Sequence, residues 1–266
     1  NNQPFYPLIC NYGLQYNFAP GSFASGNFSN YILAPQAQYG STDGFECGFS
    51  VPGCSTQIRT DLAKIKNMGF NMIRPVFTPS WDETTGDFVL QGFEYNGNGA
   101  VLKVHLLPPY NSTTNVEVQN YYNYLDFIIE EAAAAGLYTM INGTLGDLSN
   151  PIANAEYLNF LSALGDHFKN NKNLVCYDIL SEPSFNYKYA MANFSKQDAC
   201  QLISNWYDVL KSVDPNHLIT GGSNSVDEIK LFDPGLTKLD FAQPHFYTTN
   251  YPYDNDKAHA LDRIKG

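Results

Sequence analysis

Short apolar runs alternate along the chain with longer stretches whose apolar positions recur at helical spacing. The runs are Pro7–Tyr12, Asn71–Val76, Leu137–Asn142, Leu174–Leu180, Leu218–Gly221 and Leu239–Pro244. They are continuous rather than alternating, as strands covered on both faces of a parallel sheet should be. Between them the spacing predicts four amphipathic helices. Asp61–Met68 carries Leu62, Ile65 and Met68 on one face and follows a candidate N-cap at Ser55. Val116–Ala135 carries Tyr121, Leu125, Ile128, Ile129 and Ala132, and Gly136 supplies the residue that ends it. Ala153–Phe168 shows a stripe of Tyr157, Leu161, Leu164 and Phe168. Lys196–Val213 shows Leu202, Ile203, Trp206, Leu210 and Val213, and stops at Asp214-Pro215.

Strand and helix in succession predict an α/β fold, a parallel sheet wrapped by helices. Two topologies satisfy the pattern, an open doubly wound sheet and a (β/α)8 TIM barrel. No G-x-G-x-x-G follows the first strand and no Walker A motif occurs, which removes the commonest nucleotide-binding forms of the open sheet. Polar and aromatic residues gather just after the strands, where a barrel keeps its active site, so the barrel is favoured. Two insertions break the alternation, at 17–53 and 78–114. The second contains β-like runs, Asp87–Leu90 and Val101–Leu107, with a hairpin signal at Asn98-Gly99. Both follow strands and are expected to wall the catalytic face. Without a repeat or linker, residues 1–266 read as one domain. Six βα units are counted, too few for a closed barrel and so too few to leave no exposed edge. The expectation is a barrel incomplete at its C-terminus, its last two units lying beyond Gly266 or on another chain.

Composition narrows the function. There are 15 Lys+Arg against 26 Asp+Glu, a formal net charge of −11. A surface this acidic argues against nucleic acid, which is bound by releasing phosphate counterions to basic side chains. It also argues against docking on an anionic membrane, and charge interrupts the longest apolar stretches, so no membrane insertion is expected. The 19 Tyr and 18 Phe outnumber the basic residues, and Asn is abundant. Aromatic faces and amides suit carbohydrate, although any one ring is more often core packing. Four Asn-x-Ser/Thr triplets begin at Asn27, Asn111, Asn142 and Asn193 and agree with a secreted protein. Five cysteines fit no zinc spacing. Cys47 and Cys54 bracket a Gly/Pro-containing loop and are placed to close a short disulfide, whereas Cys10 and Cys176 read as core thiols.

Three short segments bear chemistry. In Tyr177-Asp178-Ile179-Leu180-Ser181-Glu182-Pro183 an apolar strand delivers Glu182 to its C-terminal end and Pro183 stops it. A carboxyl half-buried in an apolar wall has the raised pKa of a general acid. Asp178 falls deeper on the same strand and reads as a buried, hydrogen-bonded barrel residue. Gln243-Pro244-His245-Phe246-Tyr247 places His245 and Tyr247 on one side of the last strand. Met72-Ile73-Arg74-Pro75-Val76 sets Arg74 in an apolar strand, which calls for an anion inside the barrel. Singly each has a plain alternative: a turn, a core histidine, a structural ion pair.

In their joint order these segments resemble the clan A glycoside hydrolases, in particular the cellulase-like glycoside hydrolase family 5. The resemblance rests on Gly69–Val76, Ile179–Pro183 and His245–Tyr247 and extends over most of the chain outside the insertions. It implies a retaining double displacement between two strand-end glutamates, with no metal or organic cofactor. Glu182 would be the acid/base, Arg74 would orient the nucleophilic carboxylate, Tyr247 would bond to it, and His245 would line the reacting sugar's site. Trp81 and Tyr251 or Tyr253 would be stacking platforms. Three departures accompany the likeness. Ser181 stands where the family has Asn beside the acid/base, and Asn142 stands where it commonly has His. No Glu occupies a seventh-strand position, so the nucleophile is expected beyond Gly266. The alternative to catalysis is a glycan-binding barrel that has lost its chemistry.

Overall fold

The computed structural model describes residues 6–36, 47–97, 99–111, 113–144, 150–181, 196–223 and 237–244. Among these residues six strands form one all-parallel sheet: β1 (Ile9–Phe18), β3 (Met72–Val76), β7 (Tyr138–Thr144), β8 (Leu174–Ser181), β9 (Leu218–Ser223) and β10 (Phe241–Pro244). They pair in the order β10-β9-β8-β7-β3-β1, and among the described residues the sheet does not close. Helices α2 (Val51–Asn67), α3 (Val116–Ala134), α4 (Pro151–Phe168) and α5 (Lys196–Val213) fall between consecutive parallel strands. This succession is the (β/α)8-barrel plan, represented by six of its strands.

The helices form where the apolar stripes predict and where a polar side chain opens them. Asn115 accepts from the amides of Glu117 and Val118 at the start of α3, and Asn150 from those of Ile152 and Ala153 at the start of α4. Gly136 takes φ 75°, the left-handed turn expected just past α3. Helix α2 begins earlier than its periodicity suggests. Its cap is Ser50, whose hydroxyl accepts from the Gly53 amide, and not Ser55. Pro52 needs no backbone donor in a first turn and so does not break the helix. The Cys47–Cys54 disulfide forms and ties this turn to the segment before it. Cys176 is buried as expected, but Cys10 is only partly so.

The insertions add a second sheet. Strand β1 does not end at Tyr12 but continues through Gly13 to Phe18, and β2 (Tyr31–Pro35) pairs with it antiparallel. A one-turn helix, α1 (Ser22–Ser25), lies between them. In the second insertion β5 (Asp87–Glu94) runs beside β1 and is flanked antiparallel by β4 (Ser80–Asp82) and β6 (Val101–Leu106). The predicted hairpin is thus present as β5–β6. Gly92 is needed where β5 crosses β1: a Cβ there would strike the Tyr16 carbonyl oxygen and lie 2.7 Å from the Tyr16 Cβ. Tyr16, Phe18, Phe77, Phe88, Tyr110, Tyr121 and Phe160 join both sheets and the helices in one core. Burial of so many aromatic rings, at about 25 cal/mol per Å² of apolar area, locks the insertions to the barrel.

Candidate active site

Alternation along each parallel strand puts every second side chain inside the barrel. The interior has an apolar floor, in which Met72, Met140 and Cys176 pack together with Ile9 and Phe241 beside them. One step further toward the C-terminal ends the same faces carry Asn11, Arg74, Asn142 and Asp178, with Thr220 and Gln243 from β9 and β10. Register sets Asn11 opposite Arg74, Asn142 opposite Asp178 and Asp178 opposite Thr220, while Gln243 lies one step further on, opposite Gly222.

Arg74 organises this layer. Its Nε donates to Asn142 Oδ1 at 2.7 Å, Nη2 to Ser181 Oγ at 2.8 Å, and Nη1 to Asn11 Oδ1 at 3.3 Å. Nη2 also stands 2.8 Å from Asp178 Oδ2, an ion pair whose side chains are 4% and 0% exposed. Asp178 Oδ1 in turn accepts from the Gly222 amide at 2.9 Å. The anion that Arg74 calls for is therefore Asp178, and Asp178 has the buried, bonded role expected of it. A register shift in β8 between Asp178 and Ser181 turns Ser181 back toward the guanidinium. Tyr157 braces the outer side of the same strand, donating from its hydroxyl to the Ile179 carbonyl at 2.5 Å.

The layer brings together three of the predicted site residues, Arg74, Asn142 and Ser181. Trp81 is not among them. It lies in β4, 9% exposed, edge-on to Phe88 at 5.2 Å, and belongs to the core. A ring closed in this way presents no face for a sugar, so the platform reading of Trp81 is corrected. Glu182, His245, Tyr247, Tyr251 and Tyr253 lie outside the described residues. Asn11, Thr220 and Gln243, each a polar residue in an otherwise apolar run, join these faces without a role predicted from sequence.

An interior with an apolar floor and a polar layer at the C-terminal strand ends is the arrangement of a barrel enzyme of the α/β class. The family model Cellulase (glycosyl hydrolase family 5) matches residues 34–264. The chain belongs to glycosyl hydrolase family 5. Solved structures similar to it include the endo-1,4-β-mannanase of Rhizomucor miehei, at 16% identity and TM-score 0.49, covering 80% of this chain and 71% of that one. The β-mannanase of the blue mussel Mytilus edulis has 16% identity and TM-score 0.45, with 76% and 66% covered. A GH5_18 protein from Streptomyces cattleya in complex with Manβ1-4GlcNAc has 14% identity and TM-score 0.44. There 68% of this chain is covered, and the chain spans 43% of that protein's length. No sequence among curated proteins matches the chain significantly.

Proposed function

We propose that this protein is a retaining glycoside hydrolase acting on a β-linked polysaccharide or oligosaccharide, with Glu182 as the general acid/base. The observation that carries the reading is the buried Arg74–Asp178 pair at the C-terminal ends of the parallel strands, bonded to Ser181, the residue before Glu182. Glu182 would protonate the departing glycosidic oxygen, then take the proton of the water that releases the sugar from the nucleophile. Arg74, fixed by Asp178, Asn142 and Ser181, turns its Nη1 edge toward Asn11, which is exposed on the open side of the layer. That edge is where a nucleophilic carboxylate would be received. The disulfide at Cys47–Cys54 agrees with action outside the reducing cytosol.

The test is Glu182→Gln, assayed by release of reducing ends from β-1,4-glucan and β-1,4-mannan. General acid catalysis contributes about 10²–10⁴-fold, so less than roughly a hundredth of the activity should survive. Survival of a tenth or more would remove Glu182 from the mechanism. One observation favours a second reading, glycan binding without hydrolysis. Ser181 is shorter than the family's Asn, and its hydroxyl is drawn inward to Arg74. Wild-type protein that binds a β-glycan yet cleaves neither polymer would establish that reading instead.

A further inference from the structure

The fold divides the Asn-x-Ser/Thr triplets into two kinds. Asn193 lies outside the described residues. Asn27 sits between α1 and β2, and Asn111 between β6 and α3. Asn27, Ser29, Asn111 and Thr113 are all exposed. Each of these asparagines turns its Oδ1 onto the residue two further on. Asn27 Oδ1 accepts from the Ser29 amide at 3.1 Å and from the Ser29 hydroxyl at 2.7 Å. Asn111 Oδ1 accepts from the Thr113 amide at 3.3 Å, the Thr113 hydroxyl at 2.8 Å and the Thr114 hydroxyl at 3.1 Å. These side-chain bonds all fall on the oxygen, so among the described residues neither Nδ2 has a partner. Asn142 is the opposite case. It lies within β7, 5% exposed, and its Oδ1 accepts from Arg74 Nε at 2.7 Å.

We infer that Asn27 and Asn111 are N-glycosylation sites and that Asn142, despite its triplet, is not. The donor is the lipid-linked pyrophosphoryl oligosaccharide of a secretory compartment. The anomeric carbon of its first sugar bonds to Nδ2, the bond from that carbon to the phosphate oxygen breaks, the lipid pyrophosphate leaves with that electron pair, and Nδ2 gives up one proton. An amide nitrogen is a poor nucleophile because its lone pair is delocalised into the carbonyl. As the proton leaves, negative charge gathers on Oδ1, where the amide and hydroxyl donors already point. Those contacts span two or three residues, so they can form in the chain before the barrel does. The bond of Asn142 instead spans 68 positions and exists only in the folded sheet. A glycan on Asn142 would have to share the buried layer with Arg74, where its hydroxyls would lose water without gaining partners. Both acceptors belong to the insertions and not to the barrel strands that carry Arg74 and Asp178. The inference requires passage through a secretory compartment, with which the Cys47–Cys54 disulfide agrees, and it does not depend on the proposed reaction.

The test is to secrete the full chain from a eukaryotic host cell and map its glycopeptides by mass spectrometry, before and after enzymatic release of N-glycans. Chymotrypsin, cutting at Tyr121, Tyr122 and Tyr124, separates Asn111 from Asn142. Glycan is expected on most copies at both Asn27 and Asn111, with Asn142 bare. Asn27→Gln and Ser29→Ala should each remove the first glycan, and Asn111→Gln and Thr113→Ala the second, each seen as one step of faster migration in a denaturing gel. Thr114→Ala, which keeps both Thr113 donors, should retain it. Either asparagine bare on most copies of the secreted wild-type protein would overturn the inference. So would glycan on Asn142 in protein that still unfolds cooperatively.

Discussion

The ion pair inside the barrel permits a quantitative test with Asp178→Asn. The substitution preserves volume, so no cavity opens, and an Asn Oδ1 can still accept from the Gly222 amide as Asp178 does at 2.9 Å. What is lost is one negative charge 2.8 Å from Arg74 Nη2, in a place where the two side chains are 4% and 0% exposed. An exposed pair would be worth about 0–1 kcal/mol, but breaking a buried one typically costs 3–5 kcal/mol, because the survivor remains an uncompensated charge. Here Asn142, Ser181 and Asn11 continue to direct oxygen atoms at the guanidinium. The cost should therefore fall near the lower end, about 3 kcal/mol. Urea unfolding followed by circular dichroism should show that loss with an unchanged m-value, and the Tm should drop by about 6–12 °C. A double-mutant cycle with Arg74→Met isolates the pair, and a coupling energy of about 1.5 kcal/mol or more is expected. A coupling below about 0.5 kcal/mol would refute the reasoning, since a pair that weak behaves as if it stood in water.

Two further outcomes follow from the strands around this pair. In Gly143→Ala the new Cβ would collide with the Tyr157 hydroxyl and lie 3.0 Å from the Ile179 carbonyl oxygen. A loss of about 1–3 kcal/mol is expected in urea unfolding. Gly221→Ala, whose nearest atoms stand at 3.5 and 3.7 Å, should stay within about 0.5 kcal/mol of wild type. The second concerns Asp214, which is fully buried. Burial pushes its carboxyl pKa up, but hydrogen bonds from Tyr177, His217 and the Asn216 amide outweigh this and hold it below the usual range. A depressed folded pKa contributes stability that is present above about pH 4 and is lost as pH falls through the lower folded value. Asp214→Asn should therefore be less stable at pH 7, with a Tm that declines less steeply below pH 4; parallel acid limbs in the two proteins would contradict this.

Long periodic patterns exposed the scaffold. The six parallel strands lie where continuous apolar runs occur, and α3 and α5 fall within a residue of their stripes. What escaped was structure signalled at short range by residues that usually punctuate. Gly13 looked like the end of β1, yet Leu14, Tyr16 and Phe18 alternate with Gln15 and Asn17 beyond it, a period of two that marks a strand with one polar face. Pro52 and Gly53 looked like loop, yet they open α2, and a Cβ at Gly53 would come within 2.7 Å of the Cys47 carbonyl oxygen beside the disulfide. Trp81 looked like a sugar platform because it follows a strand, but the strand it forms with β5 folds it onto Phe88. Arg74 carried its own prediction, since a cation in an apolar strand requires an anion. Which anion it takes depends on strand order and register, and those are properties of the sheet and not of any one segment.

The same register argument ties the two polar regions of the molecule together. Because side chains on a strand repeat every two residues, the face of β1 that offers Asn11 to Arg74 also carries Gln15. Between them stands Gly13, where a Cβ would press to within 2.6 Å of Gln36 Oε1. The face therefore passes from a bonded ion pair, through a position without a side chain, to an amide without a hydrogen-bond partner among the described residues. Barrel strands usually end once their polar layer is formed, and the following loop makes the binding surface. Here the strand itself goes on, and β2 and β5 hold it on both edges. A surface built on a paired strand keeps its geometry better than one built on a loop. That is the physical advantage of spending an insertion on a second sheet.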